Sequence, residues 1–137
     1  MWILICVGVS LIFGVGNPSK QQSEAQLAEM IEDMDYALRE GGTVDSRYSN
    51  AKLGGALLYV NILKNSWNQG LAENYKNALL NRGWIETNVE TSRLTLCKNK
   101  VLATINLFSE LDGSHGLPRE VYGFSMNYGG NAAKICK

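Results

Sequence analysis

The chain has 137 residues, with thirteen Lys and Arg against thirteen Asp and Glu, so its formal net charge is zero. No block of like charge breaks that balance, which argues against the basic stripe of a nucleic-acid binder and the polybasic patch of a membrane-surface protein. One histidine and three cysteines leave little material for metal or nucleophilic chemistry.

The charges are unevenly placed. Residues 2–16, WILICVGVSLIFGVG, are uncharged and almost wholly apolar. Fifteen residues fall short of the roughly 20 needed to cross a bilayer core, and match the apolar stretch of a secretory signal. Gly14-Val15-Gly16 supplies small residues at a cleavage point, whereas no Lys or Arg precedes the run. Residues 1–16 are therefore read as a signal peptide or a membrane anchor, a hydrophobic helix in either case. A polar linker, residues 17–22, and a single domain, residues 23–137, follow.

Ser23 to Gln26 has the S-x-x-Q spacing of a helix-capping box. Leu27, Met30, Ile31, Met34 and Leu38 then recur on one helical face, and Gly41-Gly42 ends the helix. Glu24, Glu32, Asp33 and Arg39 fall on the opposite face, expected to be solvated. Residues 43–55 are polar and punctuated, and read as a loop. Residues 56–63, ALLYVNIL, form a strand, central in the sheet or covered on both faces. A second S-x-x-Q box, Ser66 to Gln69, opens a helix to about Arg82 with Leu71, Tyr75, Ala78 and Leu79 inward. Gly83 is its left-handed cap, and Trp84 is the residue that packs back on the last turn near Leu79.

Residues 85–89 and 93–98 are expected to make one edge or bent strand, interrupted at Glu90-Thr91-Ser92. A tight turn at 98–100 leads to a strand with Val101, Ala103, Ile105 and Leu107 on one face. Residues 109–119 form a turn region. Tyr122, Phe124, Met126 and Tyr128 alternate with Gly123, Ser125 and Asn127, the period of a strand. The whole is an α+β domain of order α-β-α-β-β-β, its mainly antiparallel sheet packed by two helices.

Cys6 lies in the apolar run, which leaves Cys97 and Cys136 as a disulfide pair for an exported domain. Their bridge would tie the tail back onto the sheet.

The catalytic inventory is thin. His115 sits between turn glycines, and Ser114, His115 and Asp112 are too close in sequence to form the nucleophile, base and orienting acid of a hydrolase. Glu29, Glu32 and Asp33 are paired carboxylates on an outward helix face, without the burial an acid catalyst needs. Gly129-Gly130 lacks the strand, helix and lysine of a phosphate loop. These residues imply no catalytic, cofactor or metal site. The expected function is contact: a non-catalytic domain binding another protein in the cell envelope, on its periplasmic or extracellular side, held by residues 1–16 if they are uncleaved. Tyr36, Tyr48 and Tyr128 are the candidate contact residues. A small secreted hydrolase and a purely structural envelope protein are the alternatives.

Overall fold

The computed structural model describes residues 17–87, 90–114 and 116–137. The expected signal or anchor segment, Val89 and His115 lie outside the described residues. No helix among the described residues is long and apolar enough to cross a membrane.

Helix α1 (Lys20–Leu38) starts a turn before the expected box. Ser19 Oγ accepts from the Gln22 backbone N–H at 3.1 Å, and Gln22 Oε1 accepts from the Ser19 N–H at 2.8 Å. Ser19-x-x-Gln22 has the same spacing as Ser23-x-x-Gln26, and Pro18 just upstream bars further extension, so the earlier box wins. Ser23 is instead fully buried within the helix. The residues read as the end of a linker thus belong to α1. Met30, Met34 and Ala37 are buried, and Asp33 is buried beside them.

Residues 43–55 are not a loop. They hold strand β1 (Val44–Lys52), paired antiparallel with β2 (Gly55–Leu63) across the turn Leu53-Gly54. Gly54 takes φ 99°, a left-handed conformation that glycine adopts without strain. A sheet edge asks for no buried face, so β1 can be polar and carry no apolar alternation. In β2, Leu58, Val60 and Ile62 are fully buried while Leu57, Tyr59 and Leu63 are only partly so. One face is packed by helices and the other is open.

A 3-10 turn (Lys64–Ser66) leads to α2 (Gln69–Asn81). Asn68, not Ser66, caps it, its side chain accepting from Leu71 N–H at 2.8 Å. Ser66 is used elsewhere: its hydroxyl donates to Leu63 O and accepts from Thr43 N–H, both at 2.8 Å. At the other end, Gly83 (φ 93°) donates to Leu80 O at 3.2 Å and Trp84 N–H to Leu79 O at 3.1 Å. This is the Schellman arrangement expected from Gly83-Trp84.

Strands β3 (Ile85–Thr87) and β4 (Arg93–Lys98) lie side by side, antiparallel, instead of forming one bent strand. The polar stretch between them reverses the chain rather than merely interrupting it. Asn99 (φ 50°) and Lys100 (φ 65°) make the two-residue turn into β5 (Val101–Asn106), with both central φ values positive as the primed hairpin turn requires. After a three-residue excursion, β6 (Glu110–Asp112) resumes pairing on β7 (Arg119–Tyr128) inside the region read as turn alone. Helix α3 (Asn131–Ile135), unforeseen in the sequence, precedes Cys136. Cys97 and Cys136 are bridged, with Cα atoms 5.4 Å apart.

The sheet order is β1-β2-β7-β5-β4-β3, with β6 on β7, and every ladder is antiparallel. Helices α1 and α2 pack one face of this α+β domain. Beneath them lie Leu58, Val60, Ile62, Phe124, Met126, Val101, Ala103, Ile105 and Leu96. Tyr75 is wholly buried there, its hydroxyl donating to Gly41 O at 2.7 Å, and burial pushes its pKa up to about 12.

Where β2 begins and β7 ends, Gly55 and Gly129 each lie too close to the opposite backbone to carry a side chain. A Cβ on Gly129, which has φ 87°, would collide with the Gly54 carbonyl oxygen. Gly129→Ala is expected to destabilise the domain by about 2 kcal/mol or more, through strain at positive φ plus that backbone clash. Urea unfolding checks it; an unchanged midpoint would refute the close approach.

Candidate binding face

Strand alternation sends every second residue to the face that α1 and α2 do not cover. The strand registers arrange these residues in rows across the sheet. One row runs Tyr48, Tyr59, Ser125, Thr104, Thr95 and Thr87, a hydroxyl from each of six strands. A second runs Asn50, Leu57, Asn127, Leu102, Cys97 and Ile85. A third begins Ser46, Asn61, Gly123. Over β1, β2, β7 and β5 these rows contain no charged residue, although charged residues make up 19% of the chain. Tyr48 is 56% exposed, and Tyr59, Ser125, Thr104 and Asn127 are half-buried.

The far end of the face is closed. Thr95 is buried and donates to Thr87 O. Cys97 alternates with core residue Leu96, so its bridge draws the C-terminal turn onto the outer side, against β5 and β7. The open part therefore lies over β1, β2 and the parts of β7 and β5 that this turn leaves uncovered.

At its centre Gly123 makes room for neighbours. A Cβ there would stand 2.8 Å from the Tyr59 hydroxyl and 2.9 Å from Asn106 Nδ2, which close over the gap. Asn61 is buried, and its Nδ2 donates to Ser46 Oγ at 3.0 Å and Asp112 Oδ2 at 3.4 Å. Burial raises the Tyr59 pKa, and the negative charges of Glu110 and Asp112 raise it further. Tyr59 therefore presents a protonated hydroxyl, able to donate and accept, at neutral pH.

Of the tyrosines singled out from sequence, only Tyr48 stands clear on this face. Tyr36 is half-buried beside the guanidinium groups of Arg82 and Arg39, 5.2 and 5.8 Å from its ring centre. Tyr128 packs against the core on the helix side. Ser114 and Asp112 do meet, the hydroxyl donating to Oδ1 at 2.6 Å, where β6 runs into the loop before β7. Glu29 is exposed beside Gln26, and Glu32 is exposed 3.8 Å from Arg82.

Asp33 alone departs from the expected solvated face, on which Glu24, Glu32 and Arg39 are exposed. Its side chain is 4% exposed and accepts from Arg82 Nε at 2.8 Å, Trp84 Nε1 at 2.8 Å and Lys98 Nζ at 2.9 Å. Burial alone would push its pKa up; the bonds from Lys98, Arg82 and Trp84 together outweigh that and hold it below the usual value. This cluster joins α1 to the end of α2 and to β4, and its role is architectural.

Sequence reasoning passed over Tyr59, Asn61, Ser125 and Asn127. Within one strand each is only the polar half of an alternation, and the uncharged rows exist once four strands are set in register. No protein-family model, curated protein or solved structure matches the chain.

Proposed function

We propose that this is a small exported or membrane-anchored domain without catalytic activity, which binds another protein in the cell envelope through the open face of its sheet. The observation that carries the reading is the set of Tyr, Asn, Ser and Thr rows over β1, β2, β7 and β5, with Lys52, Arg119, Glu110 and Asp112 only at their margins. Such rows offer rigid aromatic area at low conformational-entropy cost and adaptable hydrogen bonds, the chemistry of antibody contact surfaces. The Cys97–Cys136 bridge supports an oxidising compartment, and the apolar residues 2–16 support export or anchoring.

The test is photo-crosslinking in intact cells from a benzophenone amino acid placed at Tyr48, with exposed Glu24 on α1 as the control position. Position 48 should give a discrete protein adduct that position 24 does not. Ser125→Arg, which sets an unpaired charge in the middle of the contact, should reduce that adduct tenfold or more, a cost of about 1.4 kcal/mol or above. Equal labelling from both positions, or an adduct indifferent to Ser125→Arg, would remove this face as the docking site.

A further inference from the structure

A second recess lies on the opposite layer of the molecule. Tyr122 alternates with Gly123 and so points to the helix side, where Trp67 stacks on it with ring centres 4.2 Å apart and planes 2° from parallel. Tyr75 meets Trp67 edge-on at 5.9 Å, which fixes the indole in place. Beside this stack, between the first turn of α2 and the chain leaving β5, is a cleft of about 440 Å³ lined by Trp67, Asn68, Gln69, Glu73, Leu107 and Tyr122.

Its polar groups lie along the helix side. Asn68 spends its Oδ1 on the helix cap, which leaves its NH₂ available. The Gln69 side chain is exposed and makes no hydrogen bond to the rest of the described residues. Glu73 is held by Lys76 at 2.8 Å, and that lysine does not line the cleft. A floor of aromatic and apolar surface thus faces two amides and a carboxylate, with no lysine or arginine to hold a phosphate or carboxylate ligand.

We infer that this cleft binds a neutral sugar ring. A pyranose carries C–H groups that pack on an aromatic wall and an edge of hydroxyls that donate to Glu73 and exchange hydrogen bonds with Gln69 and Asn68. The volume accommodates one or two such rings. The inference is independent of the sheet-face reading, because the two surfaces lie on opposite sides of the sheet.

The experiment is a ¹H–¹⁵N NMR titration of the full chain with methyl β-D-glucopyranoside and with N-acetylglucosamine, alongside adenosine and inorganic phosphate. Either sugar should give saturable shifts at the Trp67 indole and the Gln69 and Glu73 amides, none at Tyr48 or Ser125, with Kd below roughly 10 mM. Gln69→Ala and Glu73→Gln change exposed side chains and should leave the thermal midpoint in place while weakening sugar binding about tenfold each. Silence with both sugars, saturation by adenosine or phosphate instead, or sugar shifts unchanged in both variants would overturn the assignment.

Discussion

Asp33→Ala should lower the stability of the domain by about 3 kcal/mol, the largest loss expected from one side chain outside the apolar core. Breaking a buried charged cluster by removing one partner costs about 3–5 kcal/mol, because the partners stay behind without their counter-charge. Here the lower end applies. The Arg82 and Lys98 side chains are 35% and 27% exposed and can turn partly to water. Trp84 cannot: it is 3% exposed and its Nε1–H would be left without an acceptor. Lys98 also donates to Arg82 O at 2.7 Å, so the same loss loosens the end of α2 from β4. Asp33→Asn, which keeps an acceptor for Trp84 but no charge, should cost roughly half as much. Thermal unfolding reads both, the alanine variant melting about 10 °C or more below the parent. A midpoint unchanged by Asp33→Ala would show that the cluster adds nothing.

The pH dependence follows from the same residue. Its folded-state pKa lies below the ordinary aspartate value of 3.8, so the folded protein holds the carboxylate more firmly than the unfolded chain does. The stability contributed is fully present above that unfolded value and is lost as pH falls below it, through the folded pKa. The parent should therefore lose stability below about pH 4 more steeply than Asp33→Asn, which has no proton to take up. Parallel acid limbs for the two proteins would contradict this.

Removal of the Cys97–Cys136 bridge, by reductant or by a double change to serine, should cost about 4 kcal/mol. The two residues are 39 apart, and closing a loop of that length restricts the unfolded chain by about this amount in the chain-entropy account. The expected pattern is local first. Helix α3 has only five residues, too short to persist without its anchor, so amides after Gly129 should lose hydrogen-exchange protection before the sheet does. Denaturant curves with and without reductant measure the global term. Coincident curves would mean that α3 is held by packing and not by the bridge.

Individual elements were legible where one chemical signal had one structural solution. The Trp84 staple followed from a glycine in the left-handed region with an aromatic residue after it. The last strand followed from a strict period of two over residues 122–128. The two helix starts misled for an instructive reason: Ser19 and Ser23 both head an S-x-x-Q, and Ser66 competes with Asn68. A capping motif states what can close a helix, while the neighbouring Pro18, or the demand of Thr43 for an acceptor, decides which residue does. Strand β1 was illegible because a sheet edge imposes no apolar alternation. The β3–β4 hairpin was illegible because a polar break reads alike whether the chain continues or turns back.

By itself the sequence determined the class of this molecule: alternating apolar positions enough for an α+β core, two cysteines fit for a bridge, balanced charge and a single histidine. Those are properties of composition and of neighbours a few residues apart. Only the tertiary structure decided which polar residues matter. Asp33, read as solvated, is buried because Trp84 and Lys98, 51 and 65 residues away, converge on it. The rows of Tyr, Asn, Ser and Thr on the sheet likewise exist only because four strands drawn from residues 44 to 128 lie in register. Local patterns record what a residue can tolerate, and partners distant along the chain settle what it does.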